Sequence, residues 1–176
     1  MRELKITRLD GFTEEHESRV YPDGSALVRG GSLPWIAWAD GLDAKVLSID
    51  WEKEMMVFLL KNRRGLKADH HCHVGAAYGY LVSGFVETEL GDVHGGDLII
   101  EPGGVVHDAL SIEESIYLSI VFYGVGGLDE NGEPDDNAVL DCMGLYQLAV
   151  GAGCADHLTP PPEGWSRQVK AERRVN

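Results

Sequence analysis

The residues of this chain whose types and spacing best suit chemistry are His71 and His73, two apart in the run Asp69-His70-His71-Cys72-His73. On an extended strand, residues two apart project from the same face, so these rings stand together while His70 and Cys72 point away. Neighbouring imidazoles chelate a divalent cation with little adjustment, although a His-x-His pair alone is as often an ordinary pair of surface or core histidines. A third ring makes the pattern informative. Gly96 is followed by Pro102, Gly104 and His107, which reads as a strand, a tight Pro-Gly-Gly turn and a return strand carrying one more imidazole. The earlier segment from Gly65 through His71 and His73 to Gly84 has the same hairpin logic.

Other polar residues are weaker candidates. Glu87 and Glu89 share a strand face with Phe85 and read as the wet side of a sheet before they read as an acid–base pair. His94 lies in the turn Gly91-Asp92-Val93-His94-Gly95-Gly96-Asp97 and is expected to face solvent, as is His70; His16 and His157 are remote from the cluster. Cys72, Trp38 and Tyr80 are expected to pack rather than react. The acidic turn Asp129–Asp136, expected as a hairpin or exposed loop, has neither the spacing nor the terminal glutamate of a calcium loop. No glycine-rich segment carries a dinucleotide fingerprint or a Walker lysine.

The elements that must position these rings are short. Strand character recurs at Ser25–Val28, Trp35–Ala39, Lys45–Ile49, Met55–Leu60, Tyr78–Val82, Phe85–Leu90, Leu98–Ile100 and Ile116–Phe122. Gly, Asp and Pro turns separate them in a chain with 22 glycines against 7 prolines, which predicts an all-β sandwich or barrel rather than a helical bundle. One helical pattern covers Asn137–Val150, where Val139, Leu140, Met143, Leu145, Tyr146 and Ala149 recur at helical spacing before Gly151. The 176 residues suit one domain with a buried core. Residues 1–158 read as that domain, with N-terminal strands in 1–50, the metal-binding core in 51–125 and a terminal turn and helix in 126–158. Residues 159–176 read as a solvated basic tail bearing Arg167, Lys170, Arg173 and Arg174.

Charge narrows the partners. With 15 Lys+Arg against 29 Asp+Glu, a net charge of −14, the chain repels phosphate backbones and anionic lipid, so nucleic-acid and membrane-surface binding are disfavoured. Cys72, Cys142 and Cys154 form no CxxC pair and cannot all pair with one another, which fits reduced thiols. The first residues show no apolar stretch of a secretory signal, and the longest apolar run, Met55 to Leu60, is too short to span a bilayer. A cytoplasmic protein is expected.

Taken together, the two hairpin patterns from Gly65 through Ser111 resemble the paired motifs of the cupin superfamily. The resemblance implies a double-stranded β-helix, a jelly-roll barrel with a C-terminal helix, whose hairpins face each other and share one metal held by His71, His73 and His107. One departure stands out. The cupin pattern has a glutamate ligand four residues after its second histidine, where this chain has Ala77. The expected centre therefore has three imidazoles and no such carboxylate. Neutral ligands leave the ion its full charge and favour chelation of an anionic, enolate-like substrate.

The segments Leu33–Trp38, Ile100–His107 and Tyr123–Gly132 further resemble the three-histidine cupins related to acetylacetone-cleaving and 2,4′-dihydroxyacetophenone dioxygenases, over roughly 33–152. That narrower resemblance implies a non-haem iron(II) dioxygenase cleaving a carbon–carbon bond in a small β-diketone or α-hydroxyketone, with zinc, manganese or nickel as alternative ions. Carried over to this sequence, Glu101 is the candidate catalytic group, orienting a ligand ring or holding a substrate proton, against a reading as an exposed strand-end carboxylate. Two other readings stay open. One is a zinc-binding sensor or regulatory module like the cupin half of certain anti-sigma factors; the other is a lyase, isomerase or hydrolase using the ion as a Lewis acid. By analogy with dimerising cupins, a homodimer or homotetramer is expected through the apolar strand material of Ser25–Trp38.

Overall fold

The computed structural model describes residues 18–173, so His16 and Arg174 lie outside the described residues. In chain order the elements are β1 (Arg19–Val20), β2 (Ala26–Leu27), β3 (Ile36–Ala39), β4 (Leu42–Asp50), β5 (Met55–Asn62), β6 (Lys67–His73), β7 (Ala77–Ser83), β8 (Phe85–Thr88), β9 (Gly91–His94), β10 (Leu98–Glu101), β11 (Val106–Ser111), β12 (Ser115–Phe122), β13 (Val125–Leu128), β14 (Pro134–Leu140) and α1 (Cys142–Gly151).

Strand alternation drives the assembly. On β5, Met56, Phe58 and Asn62 are buried while Met55, Val57 and Lys61 stay partly exposed, the period of a sheet with one dry face. β12 pairs antiparallel with β5 along its whole length, Ser115 opposite Asn62 and Phe122 opposite Met55. These two strands lie inside a six-stranded sheet of order β10-β7-β12-β5-β4-β3, which faces a second one of order β14-β13-β6-β11-β8-β9. The result is the predicted all-β jelly roll with one C-terminal helix. Its two sheets stay separate hydrogen-bonded units rather than closing into one continuous barrel.

Two apolar clusters fill the interior. One gathers Ile36, Val46, Trp51, Met56, Phe58, Val121, Leu145 and their neighbours, and the other Leu81, Val86, Val93 and Tyr117; Leu60 packs against both. The helix closes the first cluster with Cys142, Leu145 and Ala149. Among the described residues no helix is long and apolar enough to cross a membrane.

Three expectations change. The helix begins at Cys142 rather than Asn137, because Val139 and Leu140 pair with Gly126 and Val125 in the β13–β14 hairpin and Asp141 then caps the helix by accepting from Gly144 N at 3.0 Å. The described segment after Thr159 is solvated along most of its length but is anchored to the body at a few residues rather than free. Trp165 packs edge-on to Trp51 at 5.0 Å, and Arg167, 11% exposed at its side chain, reaches Asp136 Oδ1 at 2.7 Å. The backbone N–H of Ala171 also donates to Asp136. Counting charges in the tail overlooked that the acidic body supplies partners for them. Finally, Tyr80 does not pack in the core. It is 44% exposed, because on β7 its neighbours Gly79 and Leu81 take the inward positions.

Candidate metal centre

β6 and β11 bring the three histidines together. They pair antiparallel, with His107 directly opposite His71. The Pro-Gly-Gly turn before β11 is stitched to the end of β6: Gly104 N donates to His73 O at 2.8 Å and His73 N to Val105 O at 3.4 Å. Both glycines are needed there. Gly104 has a φ of +82°, and a Cβ on Gly103 would sit 2.7 Å from the Val74 carbonyl oxygen.

The rings converge. Centroids are 4.3 Å apart for His71 and His107, 5.2 Å for His73 and His107, and 5.3 Å for His71 and His73. One nitrogen from each lies within 4.8 Å of the others, a span that small side-chain rotations bring to bonds of about 2 Å with a common ion. His71 Nδ1 lies 2.8 Å from the Asp69 carbonyl oxygen, which fixes that ring and leaves Nε2 free, as metal-bound imidazoles are usually held. His73 Nδ1 is buried without a hydrogen-bond partner, and His107 Nε2 is buried with a carboxylate oxygen of Glu101 at 3.1 Å but no well-aligned hydrogen bond. Such nitrogens are costly to bury and fit a cation as the missing partner.

Electrostatics keep His71 and His107 in the donor form. Burial, reinforced by His71, pushes His107 down to about 4, and burial also lowers His71 against the opposing contact with Asp69. Both are neutral at pH 7, the state that binds a metal.

Glu101, expected to orient a ligand ring or hold a substrate proton, stands beside two of the rings. Its Oε1 lies 3.1 Å from His107 Nε2 and its Oε2 3.3 Å from His73 Nε2, and its side chain is 12% exposed. It is not an exposed strand-end group. Burial alone would raise its carboxyl, but the hydrogen bond from His73, joined by the surrounding imidazoles once they protonate, outweighs that and holds it below the usual carboxylate range. The carboxylate reaches the rings from β10, which spacing along the strand of the first two histidines does not show.

These groups open on a cavity of about 130 Å³ walled by Leu60, Ile99 and Val121, with Asn62, Tyr117 and Ser119 as further polar members. Burial, with the charge of Glu101, pushes the Tyr117 phenol up to about 12, so it stays protonated. Sequence reasoning passed over these three residues. The available signal was polar or aromatic residues at inward positions of β5 and β12, where alternation calls for aliphatic ones.

The remaining candidates stay outside. His70 is exposed, 4.0 Å from Asp108, which Lys67 approaches at 3.3 Å; Glu89 completes that surface group. His94 is exposed and stacks on Phe85 at 4.5 Å, and His157 Nε2 is 3.0 Å from the Val46 carbonyl oxygen. Glu87 faces solvent, Cys72 is fully buried, and all three cysteines are free.

Comparison with known proteins agrees with this architecture. The model of the ChrR cupin-like domain matches residues 23–125. An RmlC-like cupin protein from Ralstonia eutropha is similar in structure, with a TM-score of 0.64 at 22% identity, covering 76% of this chain and 89% of that one. An acetylacetone dioxygenase from Acinetobacter johnsonii has a TM-score of 0.61 at 16% identity, covering 66% of this chain and 85% of its own. At these identities the likeness is one of fold. No curated protein matches the chain at a significant level. With the family pattern spanning more than half of the sequence and the jelly roll in place, the chain belongs to the family of ChrR-like cupin domains.

Proposed function

We propose that this chain is a non-haem iron(II) dioxygenase that cleaves a carbon–carbon bond in a small β-diketone or α-hydroxyketone, with His71, His73 and His107 as the metal ligands. The observation that carries the reading is the convergence of three imidazoles and one buried carboxylate on a small, largely apolar cavity. When bound, iron(II) supplies open positions for chelating the two substrate oxygens and for activating dioxygen.

The chain's own residues do the rest. Glu101 is held ionised and accepts the proton from the carbon next to the carbonyl; the C–H electron pair passes into the enolate, and the proton stays on a Glu101 oxygen. Leu60, Ile99 and Val121 give the site apolar walls, surroundings in which electrostatic contacts are stronger than in water. Tyr117 keeps its proton and is available as a donor to a substrate oxygen. The relative from Acinetobacter johnsonii bears a name of this reaction class on the same fold. The proposal includes a cytoplasmic homodimer or homotetramer assembled through Ser25–Trp38, where Leu27 is exposed.

The test is oxygen uptake by iron(II)-loaded protein given acetylacetone and hydroxyacetophenones. Oxygen consumption matched by acid or aldehyde products supports the reading. Turnover without oxygen, or none across a broad ketone panel, removes it.

A second reading, which the same three-histidine group supports, is a zinc-binding regulatory module. Three histidines suit zinc as well. Stoichiometric zinc that iron does not displace, in protein purified without metal supplementation, would select this reading.

A further inference from the structure

Asn62 ends the inward-facing row of β5, after Met56, Phe58 and Leu60. It is 6% exposed and lines the same cavity as His71, His73 and Glu101. Its Oδ1 is sealed from solvent without a hydrogen-bond partner, and neither atom of the amide bonds to another described residue. Leucine would fill that position at no such cost, so the protein carries a desolvated carboxamide that its own fold does not use.

Register places this amide away from the carboxylate. Glu101 is level with Ala77 and, through it, with Val121 on β12, whereas Asn62 is level with Ser115 at the other end of that strand. Between them lies a cavity of about 130 Å³, comparable with the engineered cavity of about 150 Å³ that takes up benzene. No lysine or arginine lines it, and Lys67, on the adjoining hollow that shares Asn62, His71 and His73, is already paired with Asp108 at 3.3 Å, so a second anionic group on the ligand would find no free countercharge. A neutral hydroxyl would find an acceptor.

We propose that Asn62 recognises the end of the substrate remote from the metal-chelating oxygens, and that this end carries a neutral hydroxyl group donating to Asn62 Oδ1. The proposal rests on the ketone-cleaving reading and narrows its substrate class to hydroxyl-bearing ketones. Asn62 here is a specificity residue that touches substrate without taking part in bond cleavage.

The experiment measures calorimetric binding of a matched pair, hexane-2,4-dione and its 6-hydroxy derivative, to iron(II)-loaded full-length protein under anaerobic conditions. The wild type should favour the hydroxylated ligand by at least tenfold in Kd. Asn62→Leu should lose that preference, still bind hexane-2,4-dione, and melt at a higher temperature in the free state because the unpaired amide is gone. Asn62→Ala, which needs no added room, should lose the preference as well and guards against a misfolded leucine variant. Equal, measurable binding of both diketones by the wild type, or a preference that survives both substitutions, overturns the role of Asn62 alone. Binding of neither diketone by metal-loaded wild type overturns the ketone-cleaving reading and this proposal with it.

Discussion

Glu101 and Ala77 are direct partners across the β10–β7 ladder. Ala77 occupies the place where the cupin pattern carries its acidic ligand, so the neighbouring strand returns a carboxylate to the region from which that ligand is missing. The carboxylate stands against His73 and His107, where under the proposed reading it would temper the charge of a shared ion and take up a substrate proton.

Replacing His71, His73 and His107 together with alanine should reduce bound divalent metal from about one per chain to background, measured by elemental analysis. Removing the ion from wild type with a chelator should lower Tm, since a ligand at about 100 times its Kd stabilises the native state by about 2.7 kcal/mol. The triple variant should show no shift on chelation.

Glu101→Gln keeps the shape and removes the base. Metal content should stay at wild-type level while kcat for oxygen uptake falls by about 100-fold or more. Because the Glu101 carboxyl is held low by its histidine contacts against the effect of burial, the acid limb of the wild-type rate profile should lie below the usual carboxylate range. Activity persists as pH falls until that carboxylate takes up a proton.

His107 gives the metal-free protein a pH-dependent stability. Its folded value of about 4 lies below the unfolded value of about 6.5, so the unfolded chain binds more protons between the two. Stability is complete above about 6.5 and is lost as pH falls toward 4, by up to about 3 kcal/mol. Urea titrations of metal-free protein at pH 7 and pH 4.5 should show this loss, and His107→Gln should reduce it.

Trp165 anchors the C-terminal segment through its edge-on contact with Trp51 and its indole N–H, which donates to the Trp51 carbonyl oxygen at 3.3 Å. Trp165→Ala should cost about 2–3 kcal/mol in urea denaturation and raise protease sensitivity after Thr159. Unchanged stability would mean that the segment is only loosely held.

The amino-acid sequence by itself determined the all-β class, most of the strands, the turn chemistry of the second hairpin and the three histidines. Those features are written in local signals: period-two alternation, glycine where the chain must turn left-handed or pass close to a neighbour, and residues that share a face because they are two apart. Tertiary structure alone decided which strands became neighbours, and with that the rest. It set Glu101 beside Ala77 and the rings, gave Val139 and Leu140 to a hairpin instead of the helix, and folded the basic segment back onto Asp136 and Trp51. It also left the Asn62 amide buried without a partner. Cross-strand register and long-range docking depend on the summed packing of both sheets, which no short window of residues encodes.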